Sequence, residues 1–458
     1  MKISSKYFLN LLRRYRYVVG KLRKKDSTAI LNSLYGGVVP NRGLEHIMVG
    51  RKEEATQILN DLETVKDGAS IIKFIIGPFG SGKTFLQALI QQVAFSEKFV
   101  VGKVDFDANR RLYGSEGKSV ATYSEMMKNL AVATSPDGNA LPMILDQWIS
   151  DVQTKTMQEK GYGTVTYDNP QFILDVEHEI AETATKMDRL VGGFDFVRVL
   201  MQYFKGFVED NNSLQRSALR WLRGEYSTKT EARGDLGVRD IIDDSNYYDY
   251  IKVIAQFVRQ IGYSGLVVNF DEAINLYKIT HPQARDKNYE TILKIFNDTL
   301  QGHVSGLYII FSGTPEFLED ERRGLYSYEA IKRRLVLNKF ESNEFRDLSQ
   351  PVIKLTPLKH EELYLLLKNL VEIHAFHYNY EPGVSGEELR SFIIREYSRP
   401  GALENLTTSD IIRTFIGGLN ILQQNSGFDR SKIFGDQEGA KSLPPKSAAT
   451  GRFSSVKI

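Results

Sequence analysis

The feature that most constrains this chain is the stretch GPFGSGKT, Gly77 to Thr84, together with the segments on either side of it. An apolar, β-branched run, IIKFII, comes directly before it, and FLQALIQQVA, which has helical spacing, comes after it. Strand, glycine-rich loop and helix are the setting of a phosphate-binding loop (P-loop). In such a loop backbone N–H groups turn inward and the helix N-terminus adds positive potential. The sequence therefore predicts a nucleotide site here, and a chance glycine-rich turn is the alternative.

The residues of this loop have expected roles in binding ATP with Mg²⁺. Lys83 would reach the β- and γ-phosphates, and the Thr84 hydroxyl would coordinate magnesium. Upstream, in IMVGRKEE, Gly50 and Arg51 are candidates to border the adenine, although this stretch also suits a plain capped helix start. The predicted nucleotide-binding residues of the loop itself are Gly77, Pro78, Phe79, Gly80, Ser81, Gly82, Lys83 and Thr84.

A second apolar run, GLVVNFDEA, ends in two adjacent carboxylates, Asp271 and Glu272. Burying charge without a partner is costly, so this pair calls for a metal or a charged substrate. We expect the acidic strand to lie beside the loop strand, where Asp271 would orient magnesium as a ligand and Glu272 would polarise the attacking water. The alternative is that one of the two carboxylates caps the next helix, AINLYKI.

The strand GLYIIFSGTPEF ends in two hydroxyl residues, Ser312 and Thr314. We expect them to lie between the loop and the acidic pair and to sense the γ-phosphate. Because SGTP is also a good turn signal, a simple turn is the alternative.

Four arginines follow this strand, in EDERRGLYSYEAIKRRL, with no evident partner in their own segment. An arginine finger that acts across a subunit boundary stabilises the charge that develops during phosphoryl transfer. The active form is therefore expected to be a homo-oligomer. The candidates are Arg322, Arg323, Arg333 and Arg334.

The interval between the second predicted strand, which ends at Asp107, and the acidic strand is far longer than a minimal ATPase core needs. It reads as mostly helical, so we expect a helical insertion within the core. The predicted organisation has five parts. They are a basic N-terminal segment (1–45), an ATPase core (46–345), the insertion within it (about 120–255), a helical lid (346–430) and a disordered tail (431–458).

The net charge of +2 and a pI near 8.3 leave only local patches as candidates for DNA binding. Residues 1–25 contain nine Lys or Arg and no Asp or Glu. Arg216, Arg220 and Arg223 share one helix face, with Trp221 beside them for stacking on bases. The alternatives are a solvated helix that packs its Leu and Tyr stripe on the body, and arginine ion pairs within the same domain.

Cysteine is absent, which excludes disulfides, thiolate metal sites and cysteine catalysis. No apolar stretch reaches the ~20 residues that cross a bilayer, and the N-terminus lacks the features of a signal peptide. The expectation is a cytoplasmic protein without a membrane partner.

Five longer stretches resemble the ATP-binding protein family of bacteriophage-exclusion (BREX) and related defence systems, an AAA-like branch of P-loop ATPases. The resemblance spans roughly residues 29 to 425, and the GEYSTKTEA and GTPEF blocks are far more specific than a P-loop. The stretches are ILNSLYGGVVPNRGLEHIMVGR, KVDFDANRRLYGSEGKSVATYSEMMKNL, ALRWLRGEYSTKTEARGDLGVRDIIDD, GYSGLVVNFDEAINLYKI and FSGTPEFLEDERRGLYSYEAIKRRL.

The resemblance implies phosphate binding by residues 77–84, magnesium and water held by Asp271 and Glu272, and an arginine at the position of Arg334. It also implies a DNA helicase-like partner protein, which would make this chain a regulatory or loading ATPase.

One departure from the family pattern concerns the lid. The family's lid helix begins Thr-Pro-Arg, and that arginine would touch the γ-phosphate as a second sensor; here Ser409 stands in its place. Either Arg413 or Arg399 substitutes for it, or the coupling of hydrolysis to lid motion is weak.

The expected fold is therefore α/β, a P-loop NTPase that is AAA-like and of the additional-strand, catalytic-glutamate (ASCE) type. It has a five-stranded parallel sheet, a large helical insertion and a C-terminal helical lid. The expected function is that of a Mg²⁺-dependent ATPase of a bacterial anti-phage defence system, acting on or near DNA. Two alternatives stay open. One is a nucleotide-gated oligomeric switch or scaffold that recruits an effector with little hydrolysis. The other is a small-molecule kinase, which an adjacent Asp-Glu pair disfavours because that pair suits water as the acceptor.

Overall fold

The computed structural model describes residues 22–164, 167–185, 193–341, 345–402 and 406–435. The strands are β1 Ile71–Ile76, β2 Val100–Asp105, β3 Leu266–Asp271, β4 Leu307–Gly313 and β5 Val352–Lys354. The helices are α1 Lys24–Tyr35, α2 Leu44–Ile47, α3 Lys52–Lys66, α4 Lys83–Ser96, α5 Lys118–Lys128, α6 Leu141–Lys160, α7 Pro170–Thr185, α8 Gly193–Val208, α9 Asn212–Leu222, α10 Lys229–Leu236, α11 Tyr247–Gln260, α12 Ile274–Tyr277, α13 Pro282–Leu300, α14 Pro315–Glu319, α15 Glu329–Leu335, α16 His360–Tyr378, α17 Gly386–Tyr397, α18 Thr408–Gln424 and α19 Ser431–Phe434. A 3₁₀ turn, Leu325–Ser327, precedes α15.

The chain divides into two compact units, each with its own apolar core. Unit 1 comprises residues 1–57, 77–90 and 354–458, and unit 2 comprises residues 58–76 and 91–353.

Unit 2 is built on the sheet, whose strand order is β2-β3-β4-β1-β5. The pairs β1 with β4, β3 with β4 and β2 with β3 are parallel. Each of these four strands is an apolar run that is buried along most of its length, as expected where helices cover both faces of a parallel sheet. The α/β class with a parallel sheet and many helices, expected from the sequence, is observed, and it is compatible with a P-loop NTPase.

The position of the acidic strand corrects one expectation. β3 does not lie beside β1, because β4 pairs with both of them and separates them. The prediction that β1 and β3 are neighbours is therefore wrong, and β4, the strand that carries Ser312, is the one that lies between them.

The sheet carries a row of four stacked phenylalanines on one face. The ring centroids of Phe74 and Phe311 are 5.4 Å apart, those of Phe311 and Phe270 are 5.0 Å apart, and those of Phe270 and Phe106 are 5.3 Å apart. Because side chains alternate along a strand, the next residues, Asp271 and Ser312, point to the opposite face from this row.

Helices α5 to α11 occupy the interval between β2 and β3, where the sequence predicts a helical insertion. They contribute large buried side chains to the core of unit 2, including Trp221, Phe196 and Phe257. The carboxylate of Asp244 accepts hydrogen bonds from three backbone N–H groups at the start of α5, which satisfies donors that the helix leaves unpaired.

Unit 1 places α1 against the helices of the predicted lid. Ile30 of α1 lies in one core with Leu367 of α16, Phe392 of α17 and Phe415 of α18. The described part of the predicted N-terminal segment and the predicted lid thus share a single core. Helix α16 begins at His360, within the PLKHEEL start signal.

Two predicted segments fall largely outside the described residues: the basic stretch up to residue 21 and the tail from residue 436. The first residues of the predicted tail form α19, in which Ile433 and Phe434 are buried, so the predicted start at residue 431 is too early. Among the described helices, none is long and apolar enough to cross a membrane.

Candidate nucleotide-binding site

The P-loop follows β1 directly, and α4 begins at its lysine, Lys83. Gly80 and Gly82 have φ values of 75° and 85°, a left-handed region that residues with a Cβ seldom adopt. The glycines at these two positions are therefore required by the path of the loop, and the predicted strand-loop-helix arrangement is the one observed.

Gly80 also lies against the lid. A Cβ on Gly80 would come 2.5 Å from Cβ of Thr407, which is closer than two non-bonded carbon atoms can approach. Thr407 is the N-cap of α18, and its hydroxyl accepts a hydrogen bond from the backbone N–H of Asp410. The start of the lid helix α18 thus packs directly on Gly80 of the loop.

The side chain of Lys83 folds over its own loop. Its Nζ donates to the carbonyl oxygens of Gly77 at 2.7 Å and Pro78 at 3.0 Å, and it lies 5.4 Å from the ring centroid of Phe79. The Phe79 side chain is 67% exposed, and Thr84 is exposed at the second position of α4. Both the ammonium and the hydroxyl expected to serve a nucleotide are therefore at the surface of unit 1 or close to it.

Ser81 is a buried residue of the loop, and its Oγ has no hydrogen-bond partner among the described residues. Its carbonyl oxygen, by contrast, accepts a hydrogen bond of 2.7 Å from Nη2 of Arg51. Arg51, predicted to border the adenine, thus contacts the loop backbone itself.

The acidic end of β3 is held by the sheet. The register pairs Phe270 with Phe311, so that Asp271 stands beside Ser312, and the N–H of Ala273 donates to the carbonyl of Ser312 at 2.9 Å. Asp271 is half-buried, and its Oδ1 accepts from the N–H of Glu272 at 2.8 Å. The structure therefore brings together the acidic pair and the first of the two predicted sensor residues.

Glu272 is exposed and has a φ of 54°, left-handed for a residue with a Cβ. Such a conformation costs roughly 1–2 kcal/mol, and strain of this kind concentrates at functional sites. The capping alternative does not account for the pair, because the N-cap of the following helix α12 is Ala273, which has no side-chain acceptor.

Thr314 is the N-cap of α14, but its side chain makes no capping bond. Its hydroxyl is buried and has no hydrogen-bond partner among the described residues. A buried, unpaired hydroxyl costs about 1–3 kcal/mol, which is tolerable where a ligand completes the bond.

Two polar residues on the same face as Asp271 were not singled out from the sequence. Asn269 is buried, and neither atom of its amide has a hydrogen-bond partner among the described residues. Lys103 on β2 stands opposite it in the register; burial lowers the pKa of Lys103, while the carboxylates of Asp105 and Asp271 oppose that shift. The sequence contained a signal for both residues, because a lysine and an asparagine interrupt strands that are otherwise mostly apolar.

A family model described as BREX system ATP-binding protein BrxC/D matches residues 22–438. The chain belongs to this family. The resemblance inferred from the sequence is thereby confirmed, and membership of the BREX ATP-binding family implies ATP binding and a role in anti-phage defence. A search of curated proteins gave no match.

In this BREX family member the four candidate finger arginines differ in their surroundings. Arg323 donates to the carbonyls of Tyr277 and Ile279, and Arg333 pairs with Glu329 at 3.0 Å. The expectation that the cluster has no partner in its own segment is therefore wrong for Arg333, and also for Arg334 because of a backbone contact. Arg322 and Arg334 are exposed, and the guanidinium of Arg334 donates to a carbonyl one turn back in its own helix.

The second predicted patch, on α9, is engaged within unit 2. Arg220 pairs with Glu231 at 2.9 Å, and Arg223 donates to Asn139. Trp221 is buried, and its Nε1 donates to the carbonyl of Asp240, so it is not available to stack on a base. The ion-pair alternative is thus right for Arg220, and the stacking role proposed for Trp221 is wrong.

The two substitutes considered for the second sensor are not equivalent. Arg399 donates to the fully buried carboxylate of Glu396 at 2.7 Å, and Arg395 contacts the same oxygen at 3.2 Å, so moving Arg399 would remove one of the arginines that pair with this buried charge. Arg413 is exposed on α18. Of the two, Arg413 is the one free to move without that penalty.

Proposed function

We propose that this BREX family member is a Mg²⁺-dependent ATPase of the additional-strand, catalytic-glutamate type with an AAA-like core. The observation that carries the proposal is the strand order. β4 separates β1, which leads into the P-loop, from β3, whose end places Asp271 beside Ser312 and presents the strained, exposed Glu272.

In this proposal Lys83 contacts the β- and γ-phosphates and Glu272 polarises the attacking water. Ser312 and Thr314 donate hydroxyl hydrogen bonds toward the γ-phosphate, and Arg334 of a neighbouring copy stabilises the charge that develops. The unpaired hydroxyl of Thr314 supports a ligand-facing role, since binding would supply its missing partner.

The residues fit a magnesium ion rather than a protein-caged metal. The described residues contain no group of three or more His, Cys, Asp or Glu that could enclose a metal. Magnesium is commonly held by one or two protein oxygens together with phosphates and waters, and Thr84 and Asp271 would supply those oxygens. When bound, the ion neutralises phosphate charge.

A helicase-like defence partner and action on or near DNA are further parts of the proposal. The DNA hypothesis now depends on the basic stretch up to residue 21 and on Arg216, because Arg220, Arg223 and Trp221 are engaged within unit 2.

The test is ATP turnover by the purified full chain beside Lys83→Ala and Glu272→Gln, with and without single- or double-stranded DNA. We expect Lys83→Ala to lose ATP binding, and Glu272→Gln to keep binding while turnover falls at least about 100-fold. Turnover that survives Glu272→Gln would contradict the assigned role.

Tight ATP binding with negligible turnover in every condition would instead favour the nucleotide-gated switch. Two observations favour the switch. Ser409 stands in place of the second-sensor arginine, and Arg399 is anchored by Glu396.

Oligomerisation is tested separately, by mass photometry with ATP and Mg²⁺ at micromolar concentration. We expect assemblies that form with ATP and turnover per chain that rises with protein concentration. Monomers alone, with turnover independent of concentration, would refute the trans-acting arginine.

A further inference from the structure

We infer that Arg51 is a positioning residue that couples the lid connection, residues 355–359 between β5 and α16, to the P-loop. Nucleotide affinity then depends on the position of the lid. The inference rests on the proposed use of the P-loop for ATP. All residues that carry it belong to unit 1.

The guanidinium of Arg51 forms a buried junction between three groups, and its side chain is only 8% exposed. Nη2 donates to the carbonyl of Ser81 in the loop and to the carbonyl of Thr356 in the lid connection, while Nη1 lies 3.4 Å from the buried carboxylate of Glu54. The planar, forked guanidinium suits such a junction, because it reaches several acceptors in fixed directions.

The bond to Ser81 acts on the phosphate-facing side of the loop through the peptide plane. The Ser81 carbonyl and the Gly82 N–H belong to one planar trans peptide, so they point in opposite directions. Holding the carbonyl therefore fixes the direction of the Gly82 N–H. This is one of the backbone donors on which anion binding by a glycine-rich loop depends.

The turn that presents Arg51 is also locked to the lid. Gly50 and Arg51 have consecutive left-handed φ values of 67° and 58°, a conformation that costs the arginine roughly 1–2 kcal/mol. A Cβ on Gly50 would lie 2.8 Å from Oε1 of Glu362, in the first turn of α16. A shift of α16 or of the lid connection thus displaces Arg51, and with it the Ser81–Gly82 peptide.

Coupling of this kind is reciprocal: if the lid position tunes ATP affinity, ATP binding must order the lid connection. The experiment uses the full chain as wild type, Arg51→Gln, Arg51→Lys and Lys83→Ala. Arg42→Gln, which changes an exposed arginine nearby, is the matched control. A fluorescent ATP analogue measures affinity, and hydrogen–deuterium exchange follows residues 77–90 and 354–362.

In wild type and Arg42→Gln we expect the nucleotide to protect both segments from exchange. Arg51→Gln should bind about 10-fold more weakly and lose the protection of residues 354–362. Arg51→Lys keeps the charge but not the fork, so it should bind within about threefold of wild type and still lose that protection.

The outcomes separate the two proposals. Equal binding by wild type and Lys83→Ala would refute the P-loop site itself. If Lys83→Ala abolishes binding but Arg51→Gln behaves like Arg42→Gln, the P-loop stands and the coupling is refuted. A lower Tm with faster exchange throughout Arg51→Gln would reduce Arg51 to a structural role and also refute it.

Discussion

The P-loop and the acidic end of β3 are both predicted to serve one nucleotide, but they are built in different ways. The loop is held by side chains from distant parts of the chain: Arg51 on the Ser81 carbonyl and Thr407 against Gly80. The acidic end is held by strand register, with Asp271 beside Ser312 and the phenylalanine row in register behind it. The loop can therefore respond to movements of the lid, whereas the acidic end is as rigid as the sheet.

The largest effect is expected in the row of phenylalanines that supports the acidic end of β3. Phe311 is fully buried in the middle of the phenylalanine row, so Phe311→Ala should lower the free energy of unfolding by about 3–5 kcal/mol. Phe311→Leu, which leaves a smaller cavity, should cost less than half as much. Urea unfolding measures both, and a cost below about 1 kcal/mol for the alanine variant would break the account of a sheet-held acidic end.

The loop should fail differently, because a change there should lower ATP affinity as well as stability. Gly80→Ala meets both an adverse φ and the Thr407 side chain, so ATP affinity should fall at least about 30-fold. The control is Gly161→Ala, which has a similar φ of 77° but nothing within 4 Å of the added Cβ. It should cost about 1 kcal/mol of stability and leave ATP binding unchanged. Equal effects of the two variants on ATP binding would mean that contact with Thr407 does not matter.

Glu272 differs from both regions in one respect. Its position is set by the sheet, but its own backbone is strained. Glu272→Gly should raise the free energy of unfolding above that of Glu272→Gln by about 0.5–1 kcal/mol, because glycine adopts the φ of 54° without steric cost. Both variants should lose turnover. Thermal unfolding of the pair, side by side, decides the point, and a less stable glycine variant would show that the strain is not real.

The smallest effect concerns pH. In unit 1, burial lowers the pKa of His374, whose ring bonds Asn420 and Tyr380. In the unfolded chain this histidine protonates first, near pH 6.5, so its contribution to stability is present above that pH and is lost as the pH falls toward the lower folded pKa. The slope is at most about 1.4 kcal/mol per pH unit.

His374→Gln should flatten this slope when urea unfolding is compared at pH 7.5 and 5.5. Burial also lowers the pKa of His360 and His377 in the same unit, so a residual slope is expected. A slope unchanged by the substitution would remove His374 from the account.

Much of the candidate site follows from local pattern. The loop between β1 and α4, the acidic end of β3 and the start of α16 lie where the sequence places them, because strand and helix periodicity and the glycine positions are encoded by near neighbours. The predictions that were wrong concerned features that depend on packing instead. The sequence places the acidic strand beside β1 and leaves Trp221 available for stacking, whereas β4 intervenes and Trp221 is buried.

The sequence by itself indicated the family, through stretches that span roughly residues 29 to 425. It also located the predicted phosphate loop and the acidic pair, since each is a short pattern whose chemistry depends on its own residues. Only the tertiary structure decided that β4 separates β1 from β3, that Gly80 meets Thr407 and that Arg51 holds the Ser81 carbonyl. The physical reason is that periodicity and turn propensity act over a few residues. Which distant elements pack together depends on burial and on hydrogen bonding across the whole chain.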